Sequence, residues 1–303
     1  MTDPLMRHVR TDHSVELPVL GHVTRFESNS GDVLERVHES FGGWRVVQGI
    51  EEQSQALRIR IIVFDGDEPG PRPIPVRHLT PDVSRVVIHS PGSFAISDPQ
   101  RREAIAYVTT TLVADHELFR TAVLEAATLA LLSHFDRHPI HASAIARNNR
   151  AVLLAGASGA GKSTLAHLAH GAGFDVLSED HVWIQLAPCL RVWGRPGHAR
   201  LLDGDGDRKS VVALAGANRI SCHVADAATL CVLDRGSRPS LERLDASAIV
   251  DFLTRDIAPG FDRFPERNLP VANALAGSGG WRLTLTSDPR DALPFLEEML
   301  NQA

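Results

Sequence analysis

The segment Gly156-Ala157-Ser158-Gly159-Ala160-Gly161-Lys162-Ser163-Thr164 fits G-x-x-x-x-G-K-[ST] without a mismatch, and nothing else in the sequence narrows the choice of fold as far. Glycines at 156, 159 and 161 let the backbone curl so that successive N–H groups point inward around a phosphate. A helix starting near Lys162 adds its positive dipole end to the same anion. Lys162 supplies the charge that follows the β- and γ-phosphates of a triphosphate, and the Ser163 hydroxyl is placed to ligate Mg²⁺. The context agrees: the apolar run Ala151–Ala155 precedes the loop, an amphipathic stretch Lys162–His170 follows, and Phe174–Ser178 reads as a further strand. Strand, glycine-rich loop, helix, strand is the order of a βαβ nucleotide-binding unit. The chain has only two lysines, Lys162 and Lys209, and one of them stands in this loop.

Two nucleotide-binding classes fall away at once. Neither lysine follows an asparagine, so the Asn-Lys-x-Asp guanine-reading motif is absent, and there is no Leu-Ser-Gly-Gly-Gln segment. The net charge of −6 and pI near 6.2 give no basic field to draw the chain onto nucleic acid or an anionic membrane. The first residues are polar, and the longest apolar stretch, residues 122–132, is far short of the roughly 20 needed to span a bilayer. The expectation is a cytoplasmic protein. Cys189, Cys222 and Cys231 have no paired spacing, so neither a disulfide framework nor a zinc knuckle is expected.

A length of 303 residues suits two domains. The stretches Val23–Phe26, Ala56–Phe64, Val86–Ile96 and Ala104–Val113 read as strands, with a helix around Gly31–Phe41. Residues 64–75 are dense in Gly, Pro and Asp and read as a loop. From Leu118 to Phe135 apolar residues recur at steps of three or four, the helical period. His138–Ala146 and Ala151–Ala155 read as two strands joined by the turn Arg147–Arg150, and further strands are expected at Val182–Leu186, Thr229–Leu233 and Trp281–Leu285. The expected organisation is a smaller α+β domain over 1–114, followed by an α/β nucleotide-binding domain over 115–303.

The next acidic pair after the loop is Glu179-Asp180, at the end of the strand Phe174–Ser178. Adjacent side chains on an extended chain point to opposite sides. One carboxylate can face Mg²⁺ while the other faces the attacking group and accepts the proton of a hydroxyl nucleophile.

Taken together, His138-Pro-Ile-His141-Ala-Ser-Ala-Ile, the loop with its preceding AVLLA, and Val176-Leu-Ser-Glu-Asp180-His-Val182 resemble the catalytic core of the HPr kinase/phosphorylase family. Pro265-Glu-Arg267-Asn268-Leu269 is similar to the family's Arg-Asn-Leu segment. The resemblance covers residues 138–183 closely, is patchy to 270 and is only architectural over 1–110. It implies a P-loop kinase domain of HPr-kinase type that uses ATP and Mg²⁺. Gly156 to Ser163 would hold the nucleotide phosphates, and Ser163 with Glu179 would ligate Mg²⁺. Asp180 would be the general base for a serine hydroxyl, His141 would lie beside it, and Arg267 would steady the developing charge. The family's hexameric state makes a homo-oligomer an expectation of the resemblance alone.

Two departures bear on the acceptor. The family usually has two aspartates where this chain has Glu179-Asp180, and its Arg-Gly-Leu-Gly signature is replaced by residues 190–200, LRVWGRPGHAR. That weakens the phosphorylase reaction and HPr itself as substrate. The chain is more similar to stand-alone HPr-kinase-like proteins, some of which phosphorylate ribosomal precursor peptides, lasso peptides included, at serine. The expected partner is therefore a small protein or precursor peptide bearing the acceptor serine. A small-metabolite kinase and a nucleotide-gated peptide-binding module with little turnover stand as the alternatives. Asp203-Gly-Asp-Gly-Asp207 fails the EF-hand template at Arg208 and Leu214 and reads as a solvated loop. Arg191, Arg195 and Arg200 near Trp193 form either an acceptor-binding group or ordinary polar surface, and Trp44 and Trp281 read as core aromatics.

Overall fold

The computed structural model describes residues 8–44, 56–67, 76–79, 86–195, 198–202, 209–213, 224–255, 265–277 and 279–302. The chain is mixed α/β and divides into two compact units, 1–135 and 136–303. The division falls after the helical stretch that the sequence places in the second domain. That stretch runs through α3 (His116–Leu118), a π-helical segment (Phe119–Glu125) and α4 (Ala126–Leu132). It buries Phe119, Val123, Leu124 and Leu131, and α4 packs on the sheet of the first unit. Helical periodicity marks an apolar face without saying which sheet will cover it.

Among the described residues, the first unit is a sheet of seven strands in the order β1-β2-β3-β7-β6-β5-β4. These are β1 (His13–Val19), β2 (His22–Ser28), β3 (Leu57–Phe64), β4 (Val76–Leu79), β5 (Val86–His89), β6 (Phe94–Asp98) and β7 (Glu103–Thr109). β2, β3 and β7 run parallel, and β7 to β4 form an antiparallel meander. Helix α1 (Gly31–Phe41) lays Val33, Val37 and Phe41 on this sheet, and Phe41 stacks between Phe26 and Trp44 at centroid distances of 5.3 and 5.7 Å. Two strand readings change. Val86–Ile96 is a hairpin of two strands. Ala104–Val113 stops being a strand at Thr109, whose hydroxyl accepts from Leu112 N–H and caps α2 (Thr110–Ala114).

The second unit is layered. Its six-stranded sheet has the order β11-β9-β10-β17-β19-β18 among the described residues, with β9 (Ser143–Arg147), β10 (Arg150–Ala155), β11 (Asp175–Ser178), β17 (Ala227–Arg235), β18 (Ser240–Leu244) and β19 (Gly280–Leu285). β10, β17 and β19 are parallel neighbours. The side-chain period of two sorts their residues between two cores. Val152, Leu154, Cys231, Leu233, Leu283 and Leu285 pack under α5 (Lys162–Gly171) and α8 (Leu293–Gln302). Leu153, Ala155, Leu230 and Val232 face the opposite way, toward α6 (Ala246–Arg255), α7 (Pro265–Gly277) and a second sheet.

That second sheet has the order β16-β13-β12-β8, with β8 (His138–Ile140), β12 (Val182–Gln185), β13 (Arg191–Trp193) and β16 (Val224–Ala225). β14 (His198–Leu202) and β15 (Lys209–Ala213) pair antiparallel as a separate two-stranded sheet. β9 turns into β10 through Asn148 and Asn149, both at positive φ (52° and 64°), the backbone a two-residue hairpin requires. β9 is thereby inserted between β10 and β11, so the strands either side of α5 are parallel without being neighbours.

Asp136 fixes the start of β8. Its carboxylate accepts from the N–H groups of Leu186 and Ala187 at 2.9 and 2.8 Å and lies 3.1 Å from His138 Nε2. Burial alone would raise its pKa, but these contacts outweigh it and hold the carboxyl below its ordinary value. Arg137 is buried with its guanidinium over Trp193, 4.7 Å from the ring centroid. Burial pushes its pKa down to about 10. Trp193 itself donates its indole N–H to buried Gln185 (2.8 Å), and Arg191 pairs with Asp226 at 2.9 Å. Trp193 is thus a core residue. Trp44 and Trp281 are buried, as their sequence setting suggests. Cys231 is buried and Cys189 exposed, while Cys222 and the segment Asp203–Asp207 lie outside the described residues.

Candidate functional site

The glycine-rich loop joins the C-terminal end of β10 to the N-terminus of α5. Gly156, Gly159 and Gly161 all have positive φ (153°, 80° and 107°). Gly161 is the residue before the first helical turn, and a Cβ there would come within 3.0 Å of the Arg235 guanidinium and 3.1 Å of Leu285. Both the left-handed backbone and the crowding require glycine. Ala160 is anchored in the core below, while Ala157, Ser158 and Gly159 are exposed at the tip. Lys162 is 8% exposed and bends back across the loop, its Nζ donating to the carbonyls of Gly156 (2.9 Å) and Ala157 (3.2 Å). Ser163 is half-buried and Thr164 exposed in the first turn of α5. A curled backbone, a helix N-terminus and an adjacent ammonium fit a phosphate chain.

The second half of the site forms where two neighbouring strands pass from one sheet to the other. The run His138–Ala146, expected as one strand, is broken after β8 at His141-Ala142, and its partner run breaks between β11 and β12 at Glu179–His181. β8 pairs with β12 through Val182↔Ile140, and β9 pairs with β11 through Ser178↔Ala144 across an irregularity in register. Two side-chain hydroxyls tie the double bend: Ser143 Oγ donates to the Glu179 carbonyl and Ser178 Oγ to the His181 carbonyl.

At the bend the two acidic side chains part company, as alternation along an extended chain demands. Glu179 is 7% exposed, and its carboxylate has no hydrogen bond or ion pair among the described residues. Its carboxylate offers hard oxygen donors, the ligand type Mg²⁺ takes. Asp180 instead has a half-exposed side chain (50%) held between two histidines. His141 Nδ1 lies 3.4 Å from its Oδ1 and His181 Nδ1 lies 2.9 Å from its Oδ2. The imidazole rings meet edge to face with centroids 5.0 Å apart.

His141 also lines a cleft of about 580 Å³ shared with Gly156, Ala157 and Ser158 of the loop and with residues of α6 and α7. The structure therefore brings His141 to both the loop and Asp180. Arg267 falls in the first turn of α7, and its side chain lies outside the described residues. The following residue, Asn268, lines the cleft.

One member of the group escaped the reading of the sequence. His181 follows the acidic pair directly and stands just before β12, as His141 stands just after β8; the ladder Ile184↔His138, Trp183↔Pro139, Val182↔Ile140 ends one residue short of both, and their rings meet beyond it. The signal was a histidine at each end of two strands that pair, which becomes visible only once the pairing is known. A second missed residue is Arg235, at the end of β17, whose guanidinium lies against Gly161 and donates to the Thr286 carbonyl at 3.0 Å.

No family model matches the chain, and no curated protein matches it. Among solved structures it is similar to the HPr(Ser) kinase/phosphatase from Coxiella burnetii, with 13% sequence identity and a TM-score of 0.32 over 54% of this chain and 93% of that one. No helix among the described residues is long and apolar enough to cross a membrane.

Proposed function

We propose that residues 136–303 form an ATP- and Mg²⁺-dependent kinase domain that transfers the γ-phosphate to a serine hydroxyl on a small protein or precursor peptide, lasso-type precursors included. One observation carries the reading: His141 lines the same cleft as the glycine-rich loop while touching the half-exposed carboxylate of Asp180. The phosphate loop and the histidine that touches the proposed proton acceptor thus line one cleft.

ATP is the phosphoryl donor, and Mg²⁺ bound beside it would supply neutralisation of the charge on the phosphate oxygens. The loop N–H groups and the N-terminus of α5 bind the phosphate chain, and Lys162 turns from the Gly156 and Ala157 carbonyls toward it. Ser163 and Glu179 would hold the cation. Asp180 takes the serine proton as the hydroxyl oxygen bonds to the γ-phosphorus and the bond from that phosphorus to the β–γ bridging oxygen breaks. His141 and His181 fix the carboxylate in place, so no reorientation is needed as the proton moves. Arg267 is assigned the steadying of the transferred charge on the motif alone.

The acceptor class is tested by incubating the protein with γ-labelled ATP and a serine-containing peptide array, followed by phosphoamino-acid analysis. Phosphoserine on peptide is the expected product. Label found only on free hydroxy compounds, with no labelled polypeptide, would overturn the acceptor assignment.

A further inference from the structure

The geometry points to a transition-metal site at His141, Asp180 and His181, distinct from the Mg²⁺ position assigned to Ser163 and Glu179. One donor atom from each of the three side chains lies within 4.8 Å of the others. His141 Nδ1 lies 3.4 Å from Oδ1 and His181 Nδ1 2.9 Å from Oδ2, so both imidazoles reach the same carboxylate, one at each oxygen.

Both histidines turn the same ring nitrogen to one carboxylate, and the paired strands β8 and β12 end beside them, leaving the two rings edge to face at the bend. The backbone beneath is held by the Ser143 and Ser178 hydroxyls, so the donors sit on a fixed base. The side chains of His141 and Asp180 are 45% and 50% exposed, so an ion from solvent can reach them, and His141 also lines the cleft.

Two imidazoles and one carboxylate are a donor set for a divalent first-row ion of the Zn²⁺ type, and a poor one for Mg²⁺, which prefers oxygen in octahedral array. The two assigned metal positions therefore differ in ligand chemistry. An ion bound here draws charge from the Asp180 carboxylate and makes it a weaker proton acceptor, so metal binding and the proposed base role oppose one another. The site is a place where a transition metal would hold the proposed kinase off.

The test is calorimetric titration of Zn²⁺ into chelator-stripped, nucleotide-free protein in a non-chelating buffer, with and without a large excess of Mg²⁺. Wild type is expected to bind one equivalent that Mg²⁺ does not displace. His181→Ala and the closer-sized His181→Gln should each weaken that event by about 10–100-fold or more. Circular dichroism melts of both variants identify any that does not fold, and the folded one decides. Absence of a Zn²⁺ event in wild type, or an unchanged event in a folded His181 variant, would overturn the site. The experiment uses no phosphate transfer, so a protein that binds Zn²⁺ but never labels a peptide refutes the kinase reading alone, and the converse result refutes the metal site alone.

Discussion

His181 Nδ1 lies 2.9 Å from Oδ2 of Asp180, on the opposite oxygen from the one that faces His141. The carboxylate proposed as the base is therefore gripped from both sides, by residues on two strands that cross together from one sheet to the other. Its position is set by the double bend that the Ser143 and Ser178 hydroxyls tie between the two sheets.

Lys162 should govern nucleotide affinity. Its ammonium already bonds two loop carbonyls, so replacement removes a charged donor from the phosphates and a tie within the loop. A charge-assisted hydrogen bond contributes about 1.5–3 kcal/mol. Lys162→Ala should therefore weaken binding of a fluorescent ATP analogue by about 10–100-fold, measured by titration at fixed Mg²⁺.

Gly194 should be intolerant of any side chain. A Cβ there would fall 2.1 Å from the Leu177 carbonyl oxygen and 2.7 Å from the Leu177 side chain. The chain leaving β13 presses on the backbone of β11, just before the bend that carries Asp180. Gly194→Ala should cost about 3 kcal/mol, the upper end of overpacking penalties, read from urea denaturation. A variant as stable as wild type would show that this approach is not a fixed feature.

Asp136 makes stability depend on acid pH in a defined direction. Its carboxyl is held below its ordinary value, since hydrogen bonds from His138 and the Ala187 and Leu186 N–H groups outweigh the opposing effect of burial. The stabilisation is complete above the unfolded value of about 3.9 and is lost as pH falls through the lower folded value. The difference in melting temperature between wild type and Asp136→Asn should hold steady from neutrality down to about pH 4 and then close. A gap that widens in acid would contradict the assignment.

Features written in short local patterns were legible before the structure. The loop at Gly156–Thr164 lies between a strand and a helix as its glycines and lysine require, and Gly31–Phe41 is the helix its periodicity suggests. What escaped was non-local. The break at His141-Ala142 carries no glycine, since the chain bends there to follow β12 into a second sheet. The insertion of β9 between β10 and β11 is a matter of strand order, which spacing along the chain does not encode. The helix over 116–132 shows its apolar face clearly, yet nothing in that face names the first unit's sheet as its partner. His181 was hidden for the same reason: its importance comes from the histidine its ring meets, 40 positions earlier in the chain.

The central claim, that Asp180 is the proton acceptor of a serine-directed kinase, is tested most directly by comparing wild type with Asp180→Asn. Both would be assayed for binding of the fluorescent ATP analogue and for transfer of labelled γ-phosphate to a serine-peptide array. Loss of a general base costs about 10²–10⁴-fold in rate. The expected result is unchanged nucleotide affinity with transfer reduced by that factor. Full transfer by Asp180→Asn would contradict it.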